Sequence, residues 1–406
     1  MQGRTWSEPD ALTAFASLPG MGPASVRAIR EHYGSFAAAA KEPLDELAQL
    51  ASAATAGAWS AFEGICDLSE HLACVQSEAD RLGADLLSAA HVAWPTRLAL
   101  LCATERESEA PLLMYVRGNL GELERKYSVA IVGSRAADSQ ARSQAKALSS
   151  GLAEAGVSVI SGGAVGVDAA AHKAAVEAGG HTVVVMGTGL DKPHPSRHKG
   201  LFRDIVDGGG AVVTEVPPGT AANAGLFSKR NRIISGLADL IVVVSGKANS
   251  GTLSTARHAI SQERTVCAVP GDPRRPLSAG PNRLLVHGAA AVVDAADIVE
   301  LLLEIRGRDL DGGRAADWLE QRQDEHQGGA IATGAQVLLT MGAHKLLERL
   351  ESLPRGPDTL GDGTGLSGAE VAAALAELEL AGLAERVAGG YVLAGTGTVM
   401  VARGGR

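Results

Sequence analysis

The densest set of hydrogen-bond donors in the chain is Lys229-Arg230-Asn231-Arg232, which follows Phe227-Ser228 and precedes the apolar run Ile233-Ile234-Ser235-Gly236-Leu237. Two guanidinium groups spaced i and i+2 around an amide can each present a planar fork of N–H groups to a phosphate, a geometry that lysine does not copy. The alternative is a solvated charged turn ahead of a helix, because exposed charge is the default. Three further pieces suit the same chemistry. Gly133-Ser134-Arg135 adds a cation to a backbone that a ligand can approach, and Ser161-Gly162-Gly163-Ala164-Val165-Gly166 is a glycine turn leading into Val167-Asp168. Ser250-Gly251-Thr252 offers two hydroxyls and the amides of a helix start, which suit one phosphate or simply cap the helix.

Other chemistries fail on spacing. No turn reads G-x-G-x-x-G and none reads G-K-[ST], so neither a dinucleotide cofactor nor a bound triphosphate is supported, and no cofactor is expected. Asp168 and His172 stand at i and i+4, but no third ligand is indicated, so no metal site is expected. Their reading is orientation of the glycine turn by hydrogen bonding. A Ser134–His172–Asp168 hydrolase set lacks the G-x-S-x-G elbow, and no catalytic residue is assigned.

The elements that position these residues are legible in the apolar runs. Residues 129–132, 157–160 and 182–186 are β-branched stretches that lead into glycine turns, and 211–214, 240–244 and 266–269 continue the rhythm. Uninterrupted apolar strands alternating with alanine-rich helical stretches predict a parallel sheet buried on both faces. The fold class is therefore α/β, a doubly wound and Rossmann-like mostly parallel sheet. Ligands of such sheets sit outside the carboxyl ends of the strands, where the glycine turns fall.

A chain of 406 residues predicts two or three domains. Its net charge of −9 argues against a polyanionic partner, yet the charge is uneven. Residues 127–305 carry 17 Lys+Arg against 15 Asp+Glu, a local +2, so the flanks together hold −11. Four scattered cysteines without a C-x-x-C pair suggest buried free thiols rather than a disulfide framework. The longest apolar runs fall far short of the roughly 20 residues that a bilayer requires, and the N-terminus lacks the apolar stretch of a signal peptide. A cytoplasmic protein with no membrane partner is the expectation.

Taken in order, the motifs resemble the DNA-processing protein A (DprA/Smf) family of bacterial single-stranded DNA binders, over nearly the whole chain. The matching pieces are Val129 to Arg135, Ser161 to Asp168 with Ala171-His172, Gly187-Thr188-Gly189-Leu190-Asp191, Arg230 to Leu237, Ser250-Gly251-Thr252-Leu253 and Val269-Pro270-Gly271. The resemblance implies a Rossmann-like core that captures and protects single-stranded DNA, dimerises through that domain, hands the strand to the recombinase RecA in recombination or natural transformation, and has no established catalytic activity. Carried over, the binding residues are Gly133, Ser134, Arg135, Ser161, Gly162, Gly163, Gly166, Lys229, Arg230, Asn231, Arg232, Ser250, Gly251 and Thr252. Three positions depart from the family pattern: His194-Pro195 replaces its tyrosine-proline, Ser228 its proline and Ser245 its glutamate. His194 can still stack on a base.

A second family shares a related sheet, the nucleotide phosphoribohydrolases with P-G-G-x-G-T-x-x-E, and gives the alternative of a small-nucleotide enzyme. Here Gly251-Thr252 is followed by Thr255 where the glutamate would stand.

The flanks complete the expected organisation. Residues 1–90 read as a helical SAM-like domain with a helix-hairpin-helix turn at Leu18-Pro19-Gly20-Met21-Gly22, and 91–305 as the Rossmann-like domain with a short extension bearing one strand. Residues 306–334, polar and glycine-bearing, read as a flexible linker. Residues 335–406 read as a winged helix: helices at 335–351 and 367–381, then a hairpin at 382–393. Its second helix carries Glu370, Glu377 and Glu379 without a cation, so this module is expected to bind protein or its own chain rather than duplex DNA.

Overall fold

A computed structural model describes residues 5–54, 64–65, 67–102, 110–248, 250–306, 314–328, 341–347, 349–350, 355–380, 384–387 and 390–393. The central sheet is built from β1 (Asp85–Ser88), β2 (Leu113–Gly118), β3 (Ser128–Val132), β4 (Ser158–Ser161), β5 (Thr182–Val185), β6 (Ala211–Thr214), β7 (Leu240–Val243), β8 (Thr265–Ala268) and β9 (Ala290–Ala291). Their order across the sheet is β1-β2-β6-β5-β4-β3-β7-β8-β9. Strands β3 to β9 run parallel to one another, whereas β2 pairs antiparallel with both β1 and β6. The six apolar runs of the sequence are β3 to β8, and the strand of the extension is β2. Strands β1 and β9, four and two residues long, carry too short a pattern to announce themselves.

Chain order reverses beside β3. Strands β4, β5 and β6 are laid down on one side of it, and β7, β8 and β9 on the other. The crevice beyond the carboxyl ends of β3 and β7 is therefore the switch point where doubly wound sheets bind ligands.

Alternating side chains of the strands enter two cores, as the pleat requires. Val129 and Ile131 join Leu148, Leu152 and Ala171 under the helices Ser139–Glu154 and Val167–Glu177. Ala130 and Val132 face the other way with Ile233, Ile234 and Ala256, under the helices Ala224–Leu237 and Thr252–Ser261. Each fully buried Ile or Leu contributes about 1.5–3 kcal/mol relative to exposure, which makes this double layer the main source of stability. At the amino ends of β3 and β7, Asp239 receives Arg97 Nε at 2.8 Å and the Ser128 amide at 2.9 Å. Cys267 is buried in the first core with its thiol pushed up to about 12 by burial, whereas Cys74 is exposed and departs from the expectation of buried thiols.

The amino-terminal helices Glu8–Ala16, Pro23–Tyr33, Phe36–Ala39, Leu44–Ala54 and Leu68–Arg81 close around Phe15, Ile29, Leu47 and Leu72. The turn at Leu18–Gly22 joins the first two, with Gly20 in the left-handed region. This layer is not sharply separate at residue 90: Ala89, Ala90 and Leu112 pack against its core, and β1 belongs to the large sheet.

The stretch 306–334, expected to be a flexible linker, instead contains a helix, Arg314–Gly328. Its polar composition hides an i, i+3, i+4 stripe, Ala315, Trp318 and Leu319, which packs against the first core. Residues 329–334 lie outside the described residues.

One compact unit ends at Gln323 and a second begins at Asp324. The second contains helices Met341–Leu347, Pro357–Gly361 and Gly368–Leu380, followed by the antiparallel hairpin of β10 (Ala384–Val387) and β11 (Gly390–Leu393). Its core gathers Leu346, Leu360, Leu375 and Leu378. Residues 335–340 of the expected first helix lie outside the described residues. Among the described residues, no helix is long and apolar enough to cross a membrane, and no cluster of three or more His, Cys, Asp or Glu could hold a metal ion.

Candidate nucleic-acid interface

A crevice of about 580 Å³ opens at the switch point, between the loop after β3, the loop and helix start after β7, and the helix Ala224–Leu237. That helix is started by Asn223, whose side-chain oxygen accepts from the Gly225 amide at 2.7 Å. Ser134 and Ser245 tie the loops after β3 and β7 together, the Ser134 amide donating to Ser245 Oγ at 3.3 Å. Ser245, one of the departures from the family pattern, is thus a bracket of the crevice wall.

Eight of the fourteen residues expected from the sequence line this crevice: Gly133, Ser134, Arg135, Arg230, Asn231, Ser250, Gly251 and Thr252. Lys229 is exposed beside the lining residue Ser228. Ser161, Gly162, Gly163, Gly166 and Arg232 do not line it. Ser161 is fully buried and donates from Oγ to the Ile131 carbonyl at 2.6 Å. The glycines of this turn are closely packed against the rest of the chain. A Cβ at Gly162 would stand 2.5 Å from an Arg230 nitrogen, and one at Gly166, where φ is +89°, would stand 2.2 Å from the Ser134 carbonyl oxygen.

The separation of Arg230 from Arg232 follows from helical geometry. The motif lies inside a helix, not ahead of one, and residues two apart on a helix point to opposite sides. Phe227, Arg230, Asn231 and Ile234, at i, i+3, i+4 and i+7, form the face that lines the crevice. Arg232 points away and is held by Glu215 through two hydrogen bonds of 2.7 and 2.5 Å. Its guanidinium is therefore engaged by Glu215 and is not among the residues lining the crevice, where a second phosphate fork was expected.

Arg230 is buried beneath the crevice floor, donating from Nη1 to the Gly162 carbonyl at 2.6 Å and to the Val185 carbonyl. Burial lowers its pKa to about 10 while the Asp168 carboxylate pulls it back up, so it remains a cation at neutral pH. Asp168 is pushed above the usual carboxylate range by burial, with Arg230 the largest opposing influence. Asp168 Oδ2 accepts from the Ala164 amide at 3.3 Å, which orients the glycine turn. His172 takes a different partner. Thr182 Oγ1 spends its proton on the Val159 carbonyl, so His172 Nδ1 is the donor in their 2.7 Å contact. The ring is neutral, its pKa lowered to about 3 by burial and by the nearby His198 and Arg230.

At the rim the chemistry is flat and cationic. The exposed Arg135 guanidinium lies 5.2 Å over the Phe227 ring, and the His194 ring lies 5.3 Å from the same ring at 37°. Facing them, the helix Thr252–Ser261 starts without a side-chain cap, its Leu253 and Ser254 amides turned back onto the Ser250 and Gly251 carbonyls at 3.1 and 3.0 Å, so the Ser250 and Thr252 hydroxyls are the polar groups it brings to the crevice. Ser250 Oγ is buried there with no partner among the described residues. Phe227 was not picked out as a site residue from sequence; its i, i+3, i+4, i+7 relation to Arg230, Asn231 and Ile234 is the signal that marks it.

Residues 85–303 match the family described as DNA recombination-mediator protein A, and residues 332–390 match the DprA winged helix domain. Protein Smf of Escherichia coli is 35% identical over 285 residues, covering 70% of this chain and 72% of that one. The DNA processing protein DprA of Streptococcus pneumoniae is 38% identical over 191 residues, covering 47% of this chain and 67% of that one. An X-ray structure of DprA from Streptococcus pneumoniae superposes with a TM-score of 0.61 at 28% identity, covering 72% of this chain and 98% of that one. With the family match spanning more than half of its length, the chain belongs to the DNA processing protein A (DprA/Smf) family.

Proposed function

We propose that, within the DNA-processing role of its family, this chain captures single-stranded DNA in the switch-point crevice without reading its sequence. The observation that carries the proposal is the rim of Arg135, Phe227 and His194 set opposite an uncapped helix start. Stacking on flat groups tolerates any base, because every base has a π face, and cations with hydroxyls take the phosphates. A duplex hides its bases from such a rim, which favours single strands. Arg230 and Asp168 are buried opposite charges that stay beneath the floor, while Arg135, Lys229, Asn231, Ser250 and Thr252 supply the contacts.

Strand protection and hand-over to the recombinase RecA extend this reading through the family resemblance. Two copies pairing through the sheet-bearing domain would offer a strand two crevices, raising avidity without a new kind of contact. Glycosidic chemistry on a small nucleotide has less support. Thr255 lines the crevice where the related hydrolases place a glutamate, and Asp168 is the one carboxylate among the lining residues, where such cleavage uses two.

Polarisation of a labelled single-stranded oligonucleotide, with duplex competitor and a salt series, tests the proposal. Salt-sensitive, single-strand-selective binding that is weakened in Arg135→Ala is expected. No binding by the unaltered chain, or undiminished binding by the variant, would overturn the assignment.

A further inference from the structure

A second groove lies across the Ala164–Gly166 turn from the crevice. Ala164 lines the crevice, and the next residues, Val165 and Gly166, line the groove. The two concavities are thus separated by one turn of chain, with the exposed Arg135 loop pressed against it at Gly166. The groove encloses about 710 Å³ between the helices Ser139–Glu154 and Val167–Glu177. Arg142, Lys146, Lys173 and Arg197 line it, and Glu177 is the one carboxylate among its lining residues, a local +3 in a chain of net −9. Glu177 pairs with Lys146 at 2.9 Å on the surface, and the other three cations, Arg142, Lys173 and Arg197, are exposed. The floor is made of small residues, Ala169, Ala170 and Ala174, so nothing bulky keeps a polymer backbone from approaching.

We infer that this groove carries the phosphodiester backbone of a single strand onward from the crevice, as a second phosphate-binding stretch. The inference rests on the crevice being the strand-binding site. The division of labour follows from the linings: the crevice has flat groups and hydroxyls for bases and phosphates, whereas the groove has cations, and the one ring among its lining residues, His198, is buried edge-on against Phe202. A backbone passing through it would be held by charge alone, and its bases would remain outward. A strand too short to leave the crevice would not sense the groove at all.

The test compares oligonucleotides of about five and about twenty nucleotides on the full chain, for the unaltered protein, Lys173→Gln/Arg197→Gln and Arg135→Ala. Both side chains are exposed, so the double variant should fold; Lys173→Gln alone serves if its melting temperature falls. The double variant is expected to bind the short strand as the unaltered chain does and to lose affinity for the long one. With about 0.7 of salt slope per phosphate contact, loss of two contacts should shrink the fall in long-strand affinity between about 50 and about 200 mM salt by roughly sevenfold. Unchanged long-strand affinity and slope, with Arg135→Ala weakened on both lengths, would overturn the groove and leave the crevice standing. If Arg135→Ala also bound both lengths normally, the crevice assignment would fall and the groove with it.

Discussion

Arg232 and Glu215 grip each other through two parallel hydrogen bonds, Nη1 to Oε1 at 2.7 Å and Nη2 to Oε2 at 2.5 Å, with side chains only 6% and 11% exposed. The pair fastens the helix that lines the crevice to the chain just after β6. Removing one partner of such a pair leaves an uncompensated charge, at a cost of about 3–5 kcal/mol. Arg232→Ala should therefore lower the melting temperature by roughly 5–10 °C. Strand affinity per folded molecule should stay near that of the unaltered chain. The double replacement Arg232→Met/Glu215→Leu should recover most of the lost stability, since it removes both charges. Thermal unfolding and polarisation on the same samples check this; a variant that folds normally but fails to bind would return Arg232 to the binding site.

Stacking and charge can be separated at the rim. Phe227→Leu keeps the apolar volume but removes the aromatic face shared by Arg135 and His194. It should weaken single-strand binding by about 1–2 kcal/mol at every salt concentration, with the salt slope unchanged. Lys229→Ala should instead flatten the slope by about 0.7. Binding isotherms over a salt series distinguish the two; identical slopes for both variants would contradict the assigned roles.

The legible part of this structure was the part written in long periodic patterns. Six parallel strands announced themselves as unbroken β-branched runs, because burial on both faces leaves no polar alternation to interpret. The glycine turns located the carboxyl ends of those strands and hence the crevice. The site was harder wherever an i+2 spacing on paper became opposite faces of a helix in space. Arg230 and Arg232 looked equivalent as neighbours in sequence, yet one lies under the crevice and the other faces Glu215. Gly162 and Gly166 looked like ligand cradles, and their lack of Cβ is in fact used by Arg230 and by the Ser134 carbonyl. A long-range packing demand of this kind has no local signature. The helix Arg314–Gly328 was missed for the opposite reason, since three apolar residues on one face sufficed to dock a segment whose average composition is that of a solvated tether.

His172 supplies a test in acid. Its folded-state pKa, lowered to about 3 from the ordinary 6.5, means that the unfolded chain binds the extra proton between these values and the folded chain does not. Its contribution to stability is therefore full above the unfolded value and declines as pH falls from about 6.5 toward 3, by at most about 1.4 kcal/mol per unit. Asp168 opposes this over its own window, because a raised carboxylate pKa favours the folded state at low pH and the benefit is lost as pH rises above its unfolded value. His172→Asn, which can still donate to Thr182 Oγ1, isolates the histidine. Its urea unfolding free energy should fall less steeply between pH 6.5 and pH 4 than that of the unaltered chain. Parallel curves would show that the ring can take up its proton without leaving the core.

Gly166 and Gly162 should respond differently to a single added methyl group. At Gly166, φ of +89° is strained for any other residue, and the obstacle is the Ser134 backbone carbonyl, 2.2 Å from a Cβ. Backbone cannot swing aside, and the strain alone costs about 1–3 kcal/mol before the clash is counted. At Gly162 the obstacle is the Arg230 guanidinium, 2.5 Å away, which can retreat toward the crevice at the expense of its hydrogen bond to the Gly162 carbonyl. One lost hydrogen bond to a charged group is worth about 1.5–3 kcal/mol. Gly166→Ala should thus be the more destabilising of the two, by more than about 1 kcal/mol in urea titrations, while Gly162→Ala should alter strand binding through the displaced guanidinium. The reverse order of stability would mean that the loop after β3 yields more readily than a buried arginine, and that the wall between crevice and groove is soft.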